Sequence, residues 1–175
     1  GVIEPGVKAA ISLTRNNTIG VIGTEGTINS QSYQRKIRNI LPTAEVIGIS
    51  CPLFVPIVEE GWQSTDVAYI TAQKYLLELK EHNIDSLVLG CTHYPALRYT
   101  INKVLGNEVI LVNPAYETAK VAKIMLQEQN LLSGNLDGGS CNFYVSDDPE
   151  KFKRIGGNIL RREIASVQKV DIENL

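Results

Sequence analysis

The sequence has few residues of the kinds that build covalent or metal-held frameworks. Of its 175 residues three are cysteines, Cys51, Cys91 and Cys141, and two are histidines, His82 and His93. The cysteines are odd in number and widely spaced, no CxxC pair occurs, and neither histidine sits at a zinc-site interval from a cysteine. A disulfide scaffold and a structural zinc site are therefore poor readings, and no metal is expected. Neither charge dominates: 17 Lys and Arg face 19 Asp and Glu, for a net charge of −2. That balance argues against a broad nucleic-acid-binding face. The densest basic cluster (Lys151, Lys153, Arg154, Arg161 and Arg162) is interleaved with Glu150 and Glu163 and reads as a solvated helix face. No apolar run approaches the roughly 20 residues that cross a bilayer, so no membrane partner is expected and the location expected is cytoplasmic. At 43% hydrophobic and 21% charged residues, the composition is that of a folded globular chain.

Strand-like and helix-like segments alternate. Gly1-Val2-Ile3, running into Glu4-Pro5-Gly6, reads as the end of a strand whose earlier part lies upstream. Thr18 to Gly23 (TIGVIG) is a short β-branched run ending in glycine, of the kind that forms a buried parallel strand, and Glu45 to Ser50 (EVIGIS), Ser86 to Gly90 (SLVLG) and Glu108 to Asn113 (EVILVN) read as three further strands. Between them, Thr24 to Thr27 reads as a loop, and Asn29 or Ser30 as the cap of a helix reaching Leu41. Cys51 to Gly61 reads as a long loop. Ser64 or Thr65 caps a helix over Asp66 to His82, whose Ala68, Ala72, Tyr75, Leu76 and Leu79 fall on one stripe. Pro114 opens a further helix. The fold class expected is α/β, a parallel sheet in a three-layer αβα arrangement with right-handed crossovers. In such sheets ligands collect at the carboxyl ends of strands, here Gly23-Thr24, Ser50-Cys51, Gly90-Cys91 and Asn113-Pro114. Beyond Leu132 come turn-rich Ser133-Gly134-Asn135 and Asp137-Gly138-Gly139, a short strand over Asn142 to Ser146, a helix from Pro149 to Arg162, and a frayed or helical tail.

The sharpest chemical feature is Gly90-Cys91-Thr92-His93-Tyr94-Pro95. A cysteine directly after a buried strand and at the start of a helix sits among backbone N–H groups that favour a thiolate. A small cysteine packing the strand end is the alternative, and position alone leaves both open. His93 is suited to proton transfer or to a structural hydrogen bond, and Thr92 to contacting a carboxylate or to capping the helix. In Cys51 to Gly61 two prolines stiffen an apolar loop that presents Glu59 and Glu60, either as partners of His93 or as the start of a surface turn. Gly23-Thr24-Glu25-Gly26-Thr27 lacks the Walker lysine and the Rossmann glycine spacing, which excludes the usual nucleotide sites; its two threonine hydroxyls can hold a small carboxylate or amine.

GCTHYPAL at Gly90 to Leu97, CPLFVPIVEEG at Cys51 to Gly61 and GVIGTEGTINS at Gly20 to Ser30 resemble blocks of the bacterial glutamate racemases, in that family's order. GVIEPG at Gly1 to Gly6 and FYVSDDPEKF at Phe143 to Phe152 are similar to it too. The resemblance implies cofactor-independent interconversion of L- and D-glutamate for peptidoglycan synthesis by two thiols, one on each face of Cα. It assigns Cys91 as the thiol acting on the L-glutamate face, with Thr92 and His93 as substrate contacts. The same resemblance implies that His93 also assists proton transfer, that Glu59 supports His93, and that Thr24 and Thr27 line the substrate site. Cys51 and Cys141 receive no catalytic role. A small-molecule substrate and a homodimer are implied for the full-length protein.

The family also carries an Asp-Ser-Gly turn and a first catalytic cysteine in a Cys-Asn-Thr context. Neither occurs here: Cys51 precedes Pro52, Cys91 precedes Thr92, and Cys141 precedes Asn142-Phe143. On the family pattern residues 1–113 form the second racemase domain, and 114–175 return to a first domain whose N-terminal part is not in this sequence. A racemase for aspartate or a related acid, and a non-catalytic module binding acidic amino acids, are the competing readings.

Overall fold

The computed structural model describes residues 1–135 and 138–174; Asp137, expected in a turn-rich passage, lies outside the described residues. Four parallel strands organise the N-terminal part: β1 (Thr18–Gly23), β2 (Glu45–Ser50), β3 (Ser86–Leu89) and β4 (Ile110–Val112), in the order β2-β1-β3-β4. Their pleat sorts the side chains. Ile19, Val21, Val46, Val88 and Val112 point to one face and Ile22, Leu87 and Leu89 to the other, each set joining a separate apolar cluster.

Helices α1 (Ile3–Leu13), α2 (Glu25–Asn29), α3 (Ser32–Ile40), α4 (Phe54–Glu59), α5 (Asp66–Glu81), α6 (Arg98–Leu105) and α7 (Pro114–Glu128) complete this unit, Gly1–Leu132. On one face α1 and α3 contribute Val7, Ala10, Tyr33 and Ile37 to the core; on the other α4, α5 and α6 contribute Phe54, Ile57, Leu76, Leu79 and Ile101. Helix layers on both faces of a parallel sheet make the three-layer α/β arrangement that the strand pattern implies. Among the described residues no helix is long and apolar enough to cross a membrane. In the second unit, Ser133–Leu175, β5 (Tyr144–Val145) pairs in parallel with β6 (Gln168–Lys169), and α8 (Pro149–Leu160) starts at an Asp148 cap.

Several local expectations are corrected. Gly1 to Ile3 does not end a strand: Ile3 begins α1, where Glu4 sits in the first turn and Pro5 occupies a position whose N–H has no helical partner. Thr24 to Thr27 is not a loop, because the Thr24 hydroxyl accepts from Thr27 N–H and starts α2. The cap of α3 is neither Asn29 nor Ser30; Gln31, in the left-handed region at φ 52°, turns the chain into it. Cys51 to Gly61 is not continuous loop: Pro56 falls in the first turn of α4, and Phe54, Ile57 and Val58 bury one side of it. The tail, expected to be frayed or helical, holds the short 3-10 helix Ile172–Asn174, preceded by β6, which was not expected.

The amino ends of the strands are held by Asp85. Its carboxylate accepts from the Thr14 hydroxyl and from the N–H groups of Arg15 and Asn16, with the Arg15 guanidinium 4.0 Å away. Burial alone would push this carboxyl up; the three donors and the guanidinium outweigh it and hold it below the usual range. At the carboxyl ends Gly90 passes close to β1. A Cβ there would lie 2.7 Å from the Ile22 carbonyl oxygen and 3.3 Å from the Tyr33 ring.

Two stability predictions follow from these ends of the sheet. Replacing Asp85 with Ala takes the acceptor from the part-buried N–H bonds of Arg15 and Asn16 and costs about 2 kcal/mol in urea unfolding. Because the native carboxyl is depressed, its contribution is complete above the unfolded value of about 3.9 and fades as pH falls through the lower native value. The variant therefore loses that part of the acid slope. Gly90→Ala costs roughly 2 kcal/mol by the same measurement, since backbone rather than a flexible side chain must yield.

Candidate active site

Strand order reverses between β1 and β3: the chain leaves β1 towards β2 and returns to the other side of β1 as β3. The crevice at such a reversal is where open α/β sheets bind ligands. Gly23-Thr24 ends β1 at this point and Gly90-Cys91 follows β3. The Gly90 N–H donates to the Ile22 carbonyl over 2.7 Å, and Cys51 N–H to the Gly23 carbonyl over 2.9 Å, so three strand ends meet. The Thr24 and Thr27 hydroxyls lie 3.0 Å apart. The Thr27 methyl would be 3.5 Å from a Cβ on Gly90, which sets the pair beside the β3 end.

Cys91 is half-buried and does not itself open a helix, as the motif had suggested. Thr92 and His93 form a turn before the 3-10 segment Tyr94–Leu97, and the Tyr94 N–H returns to the Cys91 carbonyl. This turn folds His93 back. Its Nδ1 is 3.9 Å from Cys91 Sγ and 3.3 Å from Thr92 Oγ1, while its Nε2 is 3.5 Å from Glu59 Oε1. Glu59 arrives at the end of α4, whose buried Phe54, Ile57 and Val58 fix its course. Thiol, imidazole and carboxylate thus stand in line. A carboxylate at Nε2 favours the tautomer with its hydrogen there, leaving the Nδ1 lone pair facing the thiol and hydroxyl. That arrangement can take a proton from the thiol and return it.

A cavity of about 160 Å³ adjoins Cys91 and Thr92, bounded opposite by Tyr33, Pro114 and Ala115. It is smaller than the roughly 300 Å³ at which drug-sized sites begin, and suits a small molecule. The expected residues Cys91, Thr92, His93, Glu59, Thr24 and Thr27 therefore gather at the paired ends of β1 and β3 and at the helix packed beside them. Tyr33 was not foreseen. Its spacing with Ile37 marks a core-facing stripe of α3, and nothing in the sequence tells that its ring reaches the β3 end.

The other cysteines differ in kind. Cys51 is fully buried, and burial pushes its thiol up to about 12. Cys141 is exposed, with Arg162 Nη2 3.2 Å from its sulfur. Among the described residues no group of three or more His, Cys, Asp or Glu is placed to hold a metal ion.

Residues 1–120 match the Asp/Glu/Hydantoin racemase family. The chain belongs to that family. Over 173 residues it is 46% identical to a glutamate racemase of Geobacter metallireducens, covering 99% of this chain and 64% of that relative. Among solved structures of family members, a glutamate racemase isoform from Bacillus anthracis superposes with a TM-score of 0.90 at 37% identity, covering 98% of this chain and 64% of the other. The Francisella tularensis glutamate racemase, crystallised with D-glutamate, gives 0.89 at 36% identity, covering 99% and 64%. The fold is that of the Asp/Glu racemases. The chain spans about 64% of the length of these relatives.

Thiol chemistry in this family member is expected to be selective. Iodoacetamide at neutral pH modifies Cys91 and Cys141 of the folded chain while Cys51 stays unmodified until denaturant is added, as peptide mass spectrometry would record. Labelling of native Cys51 at the rate of Cys141 would contradict its burial.

Proposed function

We propose that this chain carries one half of a cofactor-independent glutamate racemase site, with Cys91 as one of two thiol acid–bases. The observation that carries the reading is the line Cys91–His93–Glu59 at the β1/β3 reversal, in a chain whose relatives are glutamate racemases. The physical problem is the Cα–H of an amino acid, which is very weakly acidic beside a carboxylate. Without a cofactor to spread the carbanion's charge, the protein must supply a base at van der Waals distance and donors fixed around the developing charge.

Cys91 meets the first need and His93, supported by Glu59, manages its proton. Thr92 and the Thr24–Thr27 pair supply hydroxyl donors of the kind a substrate carboxylate or amine requires. Racemisation needs a second acid–base on the opposite face of Cα. The family's Cys-Asn-Thr segment has no counterpart in this sequence, so that group is assigned to the part of the relatives this chain does not span. Residues 114–175 are assigned to a domain shared with that part. The exposed Tyr116, Val121, Ile124 and Met125 on α7 support this, since they leave apolar surface for a neighbour to cover. We expect the complete enzyme to work in the cytoplasm as a homodimer supplying D-glutamate for the cell wall.

The test follows Cα–H loss by NMR and handedness by circular dichroism, with L- and D-glutamate in D2O. The chain alone should show no inversion, and at most slow exchange from L-glutamate. Joined to the N-terminal portion of the Geobacter metallireducens relative, it should racemise. In that joined protein Cys91→Ser should lower turnover by about a thousandfold, the scale of a lost acid–base group. Undiminished turnover would remove Cys91 from the mechanism.

A further inference from the structure

Glu59 and His93 reach each other from different segments. Glu59 ends α4, which follows β2, and His93 lies in the turn after β3. Between these segments stands Tyr94, next to His93 and fully buried. Its hydroxyl donates to the Cys51 carbonyl over 2.8 Å. The same carbonyl accepts the N–H of Phe54, the first residue of α4. The Tyr94 ring meets Phe54 edge-on with centroids 5.3 Å apart, and Phe54 meets Tyr75 of α5 in the same manner at 5.4 Å. The Tyr75 hydroxyl in turn accepts from Leu53 N–H. The start of α4 is therefore gripped from both sides, and the side facing the reactive turn is Tyr94.

A phenylalanine would fill the same space without burying a hydroxyl, so packing alone does not account for tyrosine at this position. Burial first, then the neighbouring Cys51, Cys91 and Tyr75, push ionisation of this hydroxyl up. It remains a donor throughout the range in which the site would work.

We propose that Tyr94 is a positioning residue for the Cys91–His93–Glu59 line, its bond to Cys51 fixing the start of α4 and hence the reach of Glu59 to His93. The proposal deepens the reading of that line as acid–base machinery and rests on it. Tyr94 touches no reacting atom; it sets the register between two segments that do. Removing its hydroxyl leaves the Cys51 carbonyl its bond from Phe54 N–H, so the helix start shifts rather than unravels.

The experiment uses the 175-residue chain with Cys141→Ser, so that Cys91 is the thiol open to reagent. The rate of iodoacetamide alkylation at Cys91 is followed against pH in this parent, in Glu59→Gln, in Tyr94→Phe and in the double variant. The titratable groups in line with the thiol are His93 and Glu59. Tyr33, Tyr94 and Cys51, all pushed up by burial, stay neutral over the assay range. Glu59→Gln should displace the pH profile. Tyr94→Phe should displace it in the same direction and lower the neutral-pH rate about threefold, the order of one lost hydrogen bond. The double variant should match Glu59→Gln alone, since both changes act on one link. p-Aminophenylalanine in place of Tyr94, which keeps a donor, should restore the parent profile, and it serves as the test if Tyr94→Phe fails to fold. A Tyr94→Phe profile superimposed on the parent, a shift that adds in full to that of Glu59→Gln, or a folded aminophenylalanine variant displaced from the parent would overturn the proposal. An unmoved profile in Glu59→Gln would instead overturn the acid–base reading beneath it.

Discussion

The hydrogen bond from Gly90 N–H to the Ile22 carbonyl draws the ends of β1 and β3 together, and the site depends on that approach. It is possible because residue 90 has no side chain: the space a Cβ would need is occupied by the carbonyl it bonds and by the Tyr33 ring. The residue after this bond is Cys91. At the start of α2, Thr27 packs its methyl towards Gly90 and shares a hydrogen bond with Thr24. A reactive group placed on the residue following a tight backbone contact inherits the rigidity of the sheet rather than the mobility of a loop.

The supporting groups come from separate places in the chain, and each is fixed by apolar burial. Phe54, Ile57 and Val58 seat α4 so that Glu59 emerges at its end. Leu97 and Ile101 seat the segment after His93. Neither residue of the 3.5 Å pair is deeply buried. Both therefore keep solvent access while packed side chains fix their course.

Legibility in the sequence followed element length and burial. TIGVIG and SLVLG could be read as strands because both are almost wholly buried, which demands short apolar runs, and EVIGIS because its Val46, Ile47 and Ile49 repeat that pattern at the sheet edge. The stripe on α5 was equally plain over 16 residues. The helices that frame the site were not legible: α2 has five residues and includes Gly26, and α4 has six and includes Pro56. One turn of helix carries too few positions to show a period, and both residues ordinarily signal a loop. Among the site residues, Cys91 and His93 were visible as rare reactive types in one short motif; Glu59 was marked together with Glu60 as a partner for His93, and only resemblance to a family chose between them. Tyr33 and Tyr94 were invisible, because their roles come from contacts distant in the chain.

The two ends of the sheet divide the labour. Asp85, with Thr14, Arg15 and Asn16, closes the amino ends, while every candidate for chemistry sits at the carboxyl ends. Strands of three to six residues separate the two sets, and among the described residues no ionisable side chain named in one set belongs to the other. A lineage carrying this fold has therefore two nearly independent inheritances. Drift at the amino ends can be compensated there, by a better cap or a tighter turn, without disturbing the Cys91–His93–Glu59 line. Changes in what the carboxyl ends accept can be explored while the opposite end carries the loss of stability such changes bring.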